Sequence, residues 1–442
     1  MITLNELLTG LSTSMFVLIF LTIRWRTPAF IALLLACYVA GFGFGMAPGS
    51  ILLLVTTGFG DTLGAIGLTI ALGAFLGVVL EHCGATTIIA NGIILLFKDR
   101  FPGLVLAVTG YIVSIPIYCE SGFIILDSVR KQLARSHKVS PVFLSTVLGC
   151  SLYASHTLVP PTPGPLAAIT NLNLNDHISR VMPLSLLFSM VAVFAGYAWS
   201  MRFCNTPVSM AVNEKESSVA ASPSFSYPFF LAILPIVIPI VLITLGGIAA
   251  GFPELSWLTF TGHPVNALLA GLICCWPLQR AAGLQPDWNL AVKKALETGG
   301  RILLVVGSGG AFGYVLRHGG MSEFISGLPD LGHLGLLLPF LMAALIKTAE
   351  GSATVAMITS SAMVMPLLTT LGLESNEGRI LAFLACGAGA MTVAHVNDSF
   401  LWVISEFTGM DTATALKSVT VATFFQGISV LIALEFFALW IL

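Results

Sequence analysis

The chain has 442 residues, of which 56% are hydrophobic and 9% charged, with a formal net charge of −2 and a mean hydropathy of +0.95. A soluble globular chain carries roughly 25% charged residues, so too little polar surface is present to cover a water-soluble particle of this size. No basic tract suits a nucleic-acid partner, and the composition predicts an all-α integral membrane protein in contact with the lipid bilayer.

Residues 1–11 carry no basic residue, and no small-residue cleavage site follows the apolar run. Residues 11–23 are therefore expected to be a retained first membrane helix rather than a secretory signal. Further runs almost free of charge lie at 182–199, 229–248, 302–316, 335–346 and 421–442. A straight span needs roughly 20 apolar residues, and on that criterion roughly 10–14 membrane segments are predicted, several too short to cross alone. The eight cysteines fall mostly within apolar runs and show no metal-ligand spacing. Small buried apolar residues explain them, and no metal or cofactor is implied.

In the first half, residues 115–126 place Glu120 between apolar runs, beside Ser121 and Gly122. A glycine at such depth allows a helix to break, and the exposed N–H groups must then line a polar cavity. Residues 155–165 follow, with His156, Thr157, Thr162 and four prolines. Prolines at that density remove backbone donors and forbid a continuous helix. The longest polar stretch, 204–227, divides the chain into membrane repeats at 1–203 and 228–442 and is expected to be a solvent-exposed linker.

The second half repeats these features in order. Residues 313–320 echo 77–84, residues 349–352 (Ala-Glu-Gly-Ser) echo 119–122 (Cys-Glu-Ser-Gly), and residues 392–395 echo 153–156. Three matches at an offset of about 230–240 residues indicate an internal duplication. Glu350, Gly351 and Ser352 thus stand where Glu120, Ser121 and Gly122 stand, with Thr354 two residues further on. The 394–399 segment adds His395, Asn397, Asp398 and Ser399 after a glycine-rich stretch. Ionisable residues inside a membrane carry a desolvation cost that function has to justify. Lys347 lies one helical turn before Glu350, and an ion pair between them is expected.

Basic residues bear on orientation. Arg130, Lys131, Arg135 and Lys138 follow the first Glu motif, whereas residues 369–379 hold Glu374, Glu377 and Arg379. Residues 50–64 have no Lys or Arg, while 287–301 have Lys293, Lys294 and Arg301. Lys and Arg accumulate in cytoplasmic loops, so equivalent loops of opposite bias point to an inverted-topology repeat, with two re-entrant hairpins meeting near the midplane.

Residues 119–123 and 156–165, with 349–356 and 387–402, together resemble the gluconate permease (gluconate:proton symporter) family over essentially the whole chain. That resemblance implies a bacterial inner-membrane carrier for sugar acids, such as aldonates or uronates, or for related small hydroxy carboxylates. It implies membership of the broader ion-transporter superfamily, with a dimerising scaffold and a mobile transport domain that moves substrate like an elevator. Two positions depart from the gluconate carriers: Thr162 in place of His, and Glu350 in place of Gln.

On this reading Ser121, Gly122, Gly351, Ser352 and Thr354 cradle the substrate carboxylate. Thr157, Thr162 and Asn397 meet its hydroxyls. Glu120, Glu350, Asp398, His156 and His395 are the proton-coupling candidates, because burial lets a carboxyl or imidazole load and release a proton. The partners implied are a small anionic substrate, protons and a second copy of the chain. Sodium-coupled transport of a di- or tricarboxylate is the rival, and no nucleophile with a paired base is spaced to support an enzyme.

Overall fold

The structure, a computed structural model, describes residues 4–25, 27–97, 101–206, 227–249, 253–282, 288–321, 334–396 and 398–441. The first half comprises α1 (Leu4–Arg24), α2 (Ala29–Gly43), α3 (Pro48–His82), α4 (Ala85–Phe97) and α5 (Pro102–Val113). It continues with α6 (Cys119–His137), α7 (Pro141–Leu158), α8 (Pro163–Asn171) and α9 (Ile178–Ser200). The second half begins with α10 (Phe229–Ala249), α11 (Ser256–Thr261), α12 (Pro264–Ala281) and α13 (Trp288–Leu316). There follow α14 (Leu337–Glu350), α15 (Ala353–Val364), α16 (Asn376–Met391), α17 (Ser399–Thr408), α18 (Thr412–Ala415) and α19 (Val421–Ile441). Among the described residues there is no strand.

Among the described residues, six helical stretches are long and apolar enough to cross a membrane: Pro48–His82, Pro141–Asn171, Asn175–Phe203, Phe229–Gly246, Asn289–Gly319 and Thr412–Ile441. Several other apolar helices, α2 and α5 among them, are shorter. Most of the polar stretch 204–227 lies outside the described residues; at its end the Tyr227 hydroxyl donates to the Cys83 carbonyl at 2.8 Å.

The long helices α3 and α13 pack antiparallel. Gly58 sits against Tyr314, Gly310 against Thr62 and Gly67 against Leu303. Backbones approach this closely where glycine removes the side chain, as membrane helix pairs commonly do.

At the centre stand α7 and α16. Every residue of α7 from Val142 to Leu158 is buried, as is every residue of α16 from Ile380 to Met391. Around them the two halves pack in matching pairs. Helix α5 lies on α7 as α14 lies on α16, and α6 lies on α7 as α15 lies on α16. Across the halves, α6 touches α17 and α15 touches α8.

Some of the stretches used to judge orientation are not loops. Residues 50–64 form the body of α3 and residues 288–301 the start of α13. Arg130 is buried inside α6, where its Nε and Nη2 donate to Asp127 Oδ1 at 2.8 and 2.6 Å and Nη2 also donates to the Phe407 carbonyl at 3.1 Å. Charge bias in loops reports topology only for residues that are in loops. Of the 369–379 stretch, residues 369–375 form the turn leading into α16 and residues 376–379 begin that helix.

Candidate functional site

Four helices begin near one another at interruptions in the helical backbone. The chain leaves α5 at Val113 and re-enters helix at Cys119, with Tyr118 extended at the N-cap position. It leaves α7 at Leu158 and restarts at Pro163 with Thr162 as N-cap; prolines at 160, 161 and 163 account for that gap. It leaves α14 at Glu350, where Gly351 takes φ +82, and restarts at Ala353 under a Ser352 cap whose Oγ accepts from Val355 N at 3.3 Å. It leaves α16 at Met391 and restarts at Ser399 under an Asp398 cap, whose Oδ1 accepts from Phe400 N at 2.9 Å.

The new helix starts face each other in pairs across the two halves. Ser399 Oγ at the head of α17 donates to Glu120 Oε1 at the head of α6, at 3.2 Å. A Cβ on Gly164, at the head of α8, would lie 3.4 Å from Thr354 Cα at the head of α15. A small cavity of about 20 Å³ joins the two sets, lined by Tyr118 of one break and Pro161, Thr162 and Pro163 of another, with Gly73 and Ala74 of α3. It has room for roughly one water.

The titratable residues fall into distinct surroundings. Lys347 is wholly buried and donates to Asp398 Oδ2 at 2.5 Å and to the Gly351 carbonyl. The Tyr153 hydroxyl donates to the same Asp398 oxygen at 3.2 Å. The pairing expected between Lys347 and Glu350 is therefore absent. Lys347 reaches a residue 51 positions away, and both carboxylate oxygens of Glu350 are buried without a hydrogen-bond partner among the described residues. Helix α14, which carries Lys347, packs along α16, which leads to Asp398, and no spacing rule along the chain carries that information.

Glu120 is half-buried and also accepts from Cys119 Sγ at 3.2 Å. His156 is buried in the last turn of α7, with its ring 5.8 Å from that of Tyr118 and its Nδ1 without a partner among the described residues. His395 lies in the non-helical segment after α16, with Nε2 3.1 Å from the Thr348 carbonyl. The two histidines matched by the repeat thus occupy different places, one inside a helix and one beyond it. That segment is anchored by α19, where Thr423 Oγ1 accepts from Ala394 N at 3.0 Å, and by Thr420, which donates to the Ala394 carbonyl.

Several residues expected to bind substrate turn out to be engaged. Gly122 lies within α6 rather than at the break; its N–H donates to Tyr118 O at 2.8 Å, and a Cβ there would meet Leu152 Cδ2 at 2.7 Å. The Gly351 N–H donates to Lys347 O at 2.8 Å. Neither glycine N–H is free to hold a carboxylate, which corrects the cradle expected of them. Thr157 and Thr162 donate to Tyr153 O at 2.8 Å and Val159 O at 2.6 Å, which leaves their oxygens as acceptors only. Ser121, Ser352 and Thr354 are half-buried in the first turn or cap of their helices. Asn397 lies outside the described residues. Lys347, Tyr153 and Ser399 join the site through tertiary contact alone.

The family model described as GntP family permease matches residues 6–440. A permease of Haemophilus influenzae is 35% identical over 452 residues, covering 96% of this chain and 91% of that protein. The low-affinity gluconate transporter of Escherichia coli K12 is 30% identical and covers 95% of each chain. Among solved structures, the YdaH transporter of Alcanivorax borkumensis superposes with a TM-score of 0.61 at 15% identity, covering 89% of this chain and 90% of that one. At that identity the likeness is one of fold.

Proposed function

The chain belongs to the GntP family of permeases and is a multi-pass inner-membrane protein, and from that premise we propose that it imports a gluconate-like sugar acid together with at least one proton. The observation that carries this reading is the meeting of helix N-termini from both halves at breaks in the backbone. A helix N-terminus carries the positive end of a helix dipole and N–H groups without intrahelical partners, which favour an anion; α6 has no side-chain cap, whereas Ser352 and Asp398 each take one N–H at α15 and α17 and prolines 163 and 165 remove two at α8. Ser121, Ser352 and Thr354 border these termini and supply hydroxyls; Thr157 and Thr162 can accept from substrate hydroxyls.

Glu350 is the proton carrier on this reading. An ionised carboxylate in a membrane interior needs partners, and this one has none among the described residues, so its neutral form is the one the site tolerates. His156, also lacking a partner at Nδ1, is the second candidate. Asp398 is committed to Lys347, and His395 faces a backbone carbonyl.

The crossed packing of α6 on α17 and of α15 on α8 supports an inverted repeat in which α5–α6 and α14–α15 are re-entrant hairpins. A cavity holding about one water cannot hold a sugar acid. A substrate bound in that cavity would need these helix ends to part, in keeping with an elevator-type transport domain carried by a homodimeric scaffold.

Uptake of labelled gluconate and a panel of aldonates and uronates into proteoliposomes, with proton and sodium gradients imposed separately, tests the proposal. Accumulation driven by the proton gradient alone is expected. Accumulation that requires sodium, or that favours di- and tricarboxylates, would overturn it in favour of the sodium-coupled alternative.

A further inference from the structure

The surroundings of Lys347 have the make-up of a cation site. Its ammonium is held by the Gly351 carbonyl, next to the α14–α15 break, and by Asp398 Oδ2 at 2.5 Å. The Tyr153 ring centre lies 5.6 Å from Nζ, and the Tyr153 hydroxyl bonds the same carboxylate oxygen. A carbonyl at a helix break, a carboxylate and an aromatic face are the groups that enclose a small desolvated cation. The other buried ion pair described here, Arg130 with Asp127, joins residues one turn apart on a single helix. Lys347–Asp398 instead joins two interrupted backbones.

We propose that Lys347, Asp398, Gly351 and Tyr153 form a monovalent-cation site whose cation is the chain's own Lys347 ammonium, and that Lys347 thereby closes the site to sodium. The proposal deepens the proton-coupled reading above and rests on it. The lysine ammonium is a compact point charge on a flexible stem, so it can stand where a small metal ion would. Tethering gives it an effective concentration that a free ion has to exceed in order to displace it. Truncating the side chain leaves a void bordered by the Gly351 carbonyl, the Asp398 carboxylate and the Tyr153 hydroxyl. It also leaves a buried negative charge with no counter-charge, and both conditions draw in a cation.

Thermal melting of purified full-length protein in sodium chloride and in choline chloride at equal ionic strength tests this. Wild type is expected to melt at the same temperature in both salts. Lys347→Ala is expected to gain about 3–5 °C in sodium, with saturation. The Lys347→Ala, Asp398→Asn double variant is expected to lose that gain, because its site carries no net charge. If Lys347→Ala survives extraction only in sodium, that is the same positive result. The proposal is overturned by a sodium shift in wild type, by equal melting or equal loss of Lys347→Ala in both salts, or by a shift that persists in the double variant. The readout involves no transport. A failure here with proton-driven uptake intact removes the cation site alone, and a failure of uptake leaves the melting result to stand by itself.

Discussion

Glu120 and Glu350 occupy matched places in the repeat, yet the first begins a helix and the second ends one. Glu120 takes hydrogen bonds from Ser399 and Cys119, so its charge is met where α6 and α17 abut. Glu350 is followed at once by a glycine at φ +82, and its carboxylate oxygens are buried without a hydrogen-bond partner among the described residues. Lys347, the cation nearest in sequence, is held elsewhere. Two matching motifs thus hold a carboxylate anchored across the halves and a carboxyl without a hydrogen-bond partner among the described residues, and that contrast is what the proposed coupling role of Glu350 rests on.

The largest effect is expected at the pair that draws Lys347 away. Asp398→Asn leaves a buried ammonium without its counter-charge, which costs roughly 3–5 kcal/mol. Chemical or thermal unfolding in detergent should show that loss. A melt matching wild type would mean that Lys347 has another partner and that Glu350 is not isolated.

Glu350→Gln should abolish accumulation while leaving substrate exchange across the membrane intact. A one-unit pH gradient sustains about tenfold accumulation per coupled proton, and the variant should lose that factor in proteoliposome uptake. Undiminished accumulation would remove Glu350 from coupling and make His156 the group to test next.

The glycines at the two breaks should also part company. Gly351→Ala forces a side chain into the left-handed region at a cost of roughly 1–2 kcal/mol. Gly122→Ala meets only the movable end of Leu152 inside a helix, where alanine is the better helix former by up to about 1 kcal/mol. Melting temperatures of the two variants give the comparison. A greater loss at Gly122 than at Gly351 would reverse the assignment of which glycine makes a break.

The smallest effect is expected from Glu120→Gln, since the amide oxygen still accepts from Ser399. A loss of about 1 kcal/mol with accumulation preserved is the expected outcome. If accumulation collapses in this variant and survives in Glu350→Gln, the contrast drawn between the two carboxyls is reversed.

Much of the site was legible along the chain. Prolines at 160, 161, 163 and 165 announced the break after α7, because proline cannot donate into a helix. The recurrence of Glu120 and Glu350 singled out both segments. The left-handed turn fell on Gly351, the residue best suited to it. Other features were misplaced for identifiable reasons. Gly122 looked like a breaker, but its missing side chain serves the close approach of α6 to Leu152. Residues 50–64 read as a loop without Lys or Arg, whereas in a membrane a stretch lacking basic residues is equally the body of a helix, here α3. The Lys347–Glu350 spacing satisfied the helical-neighbour rule, and a contact from 51 residues away overrode it.

By itself the sequence determined the solvent, the helical class, the family and the breaks at the proline cluster after α7 and at Gly351, because low charge, apolar run length and proline or glycine act locally and need no partner. Tertiary structure alone decided which charges meet. The union of Lys347 with Asp398, the bridge from Ser399 to Glu120 and the isolation of Glu350 depend on how interrupted helices from two halves cross, and in a membrane interior it is that crossing that sets which charge is paired and which is left alone.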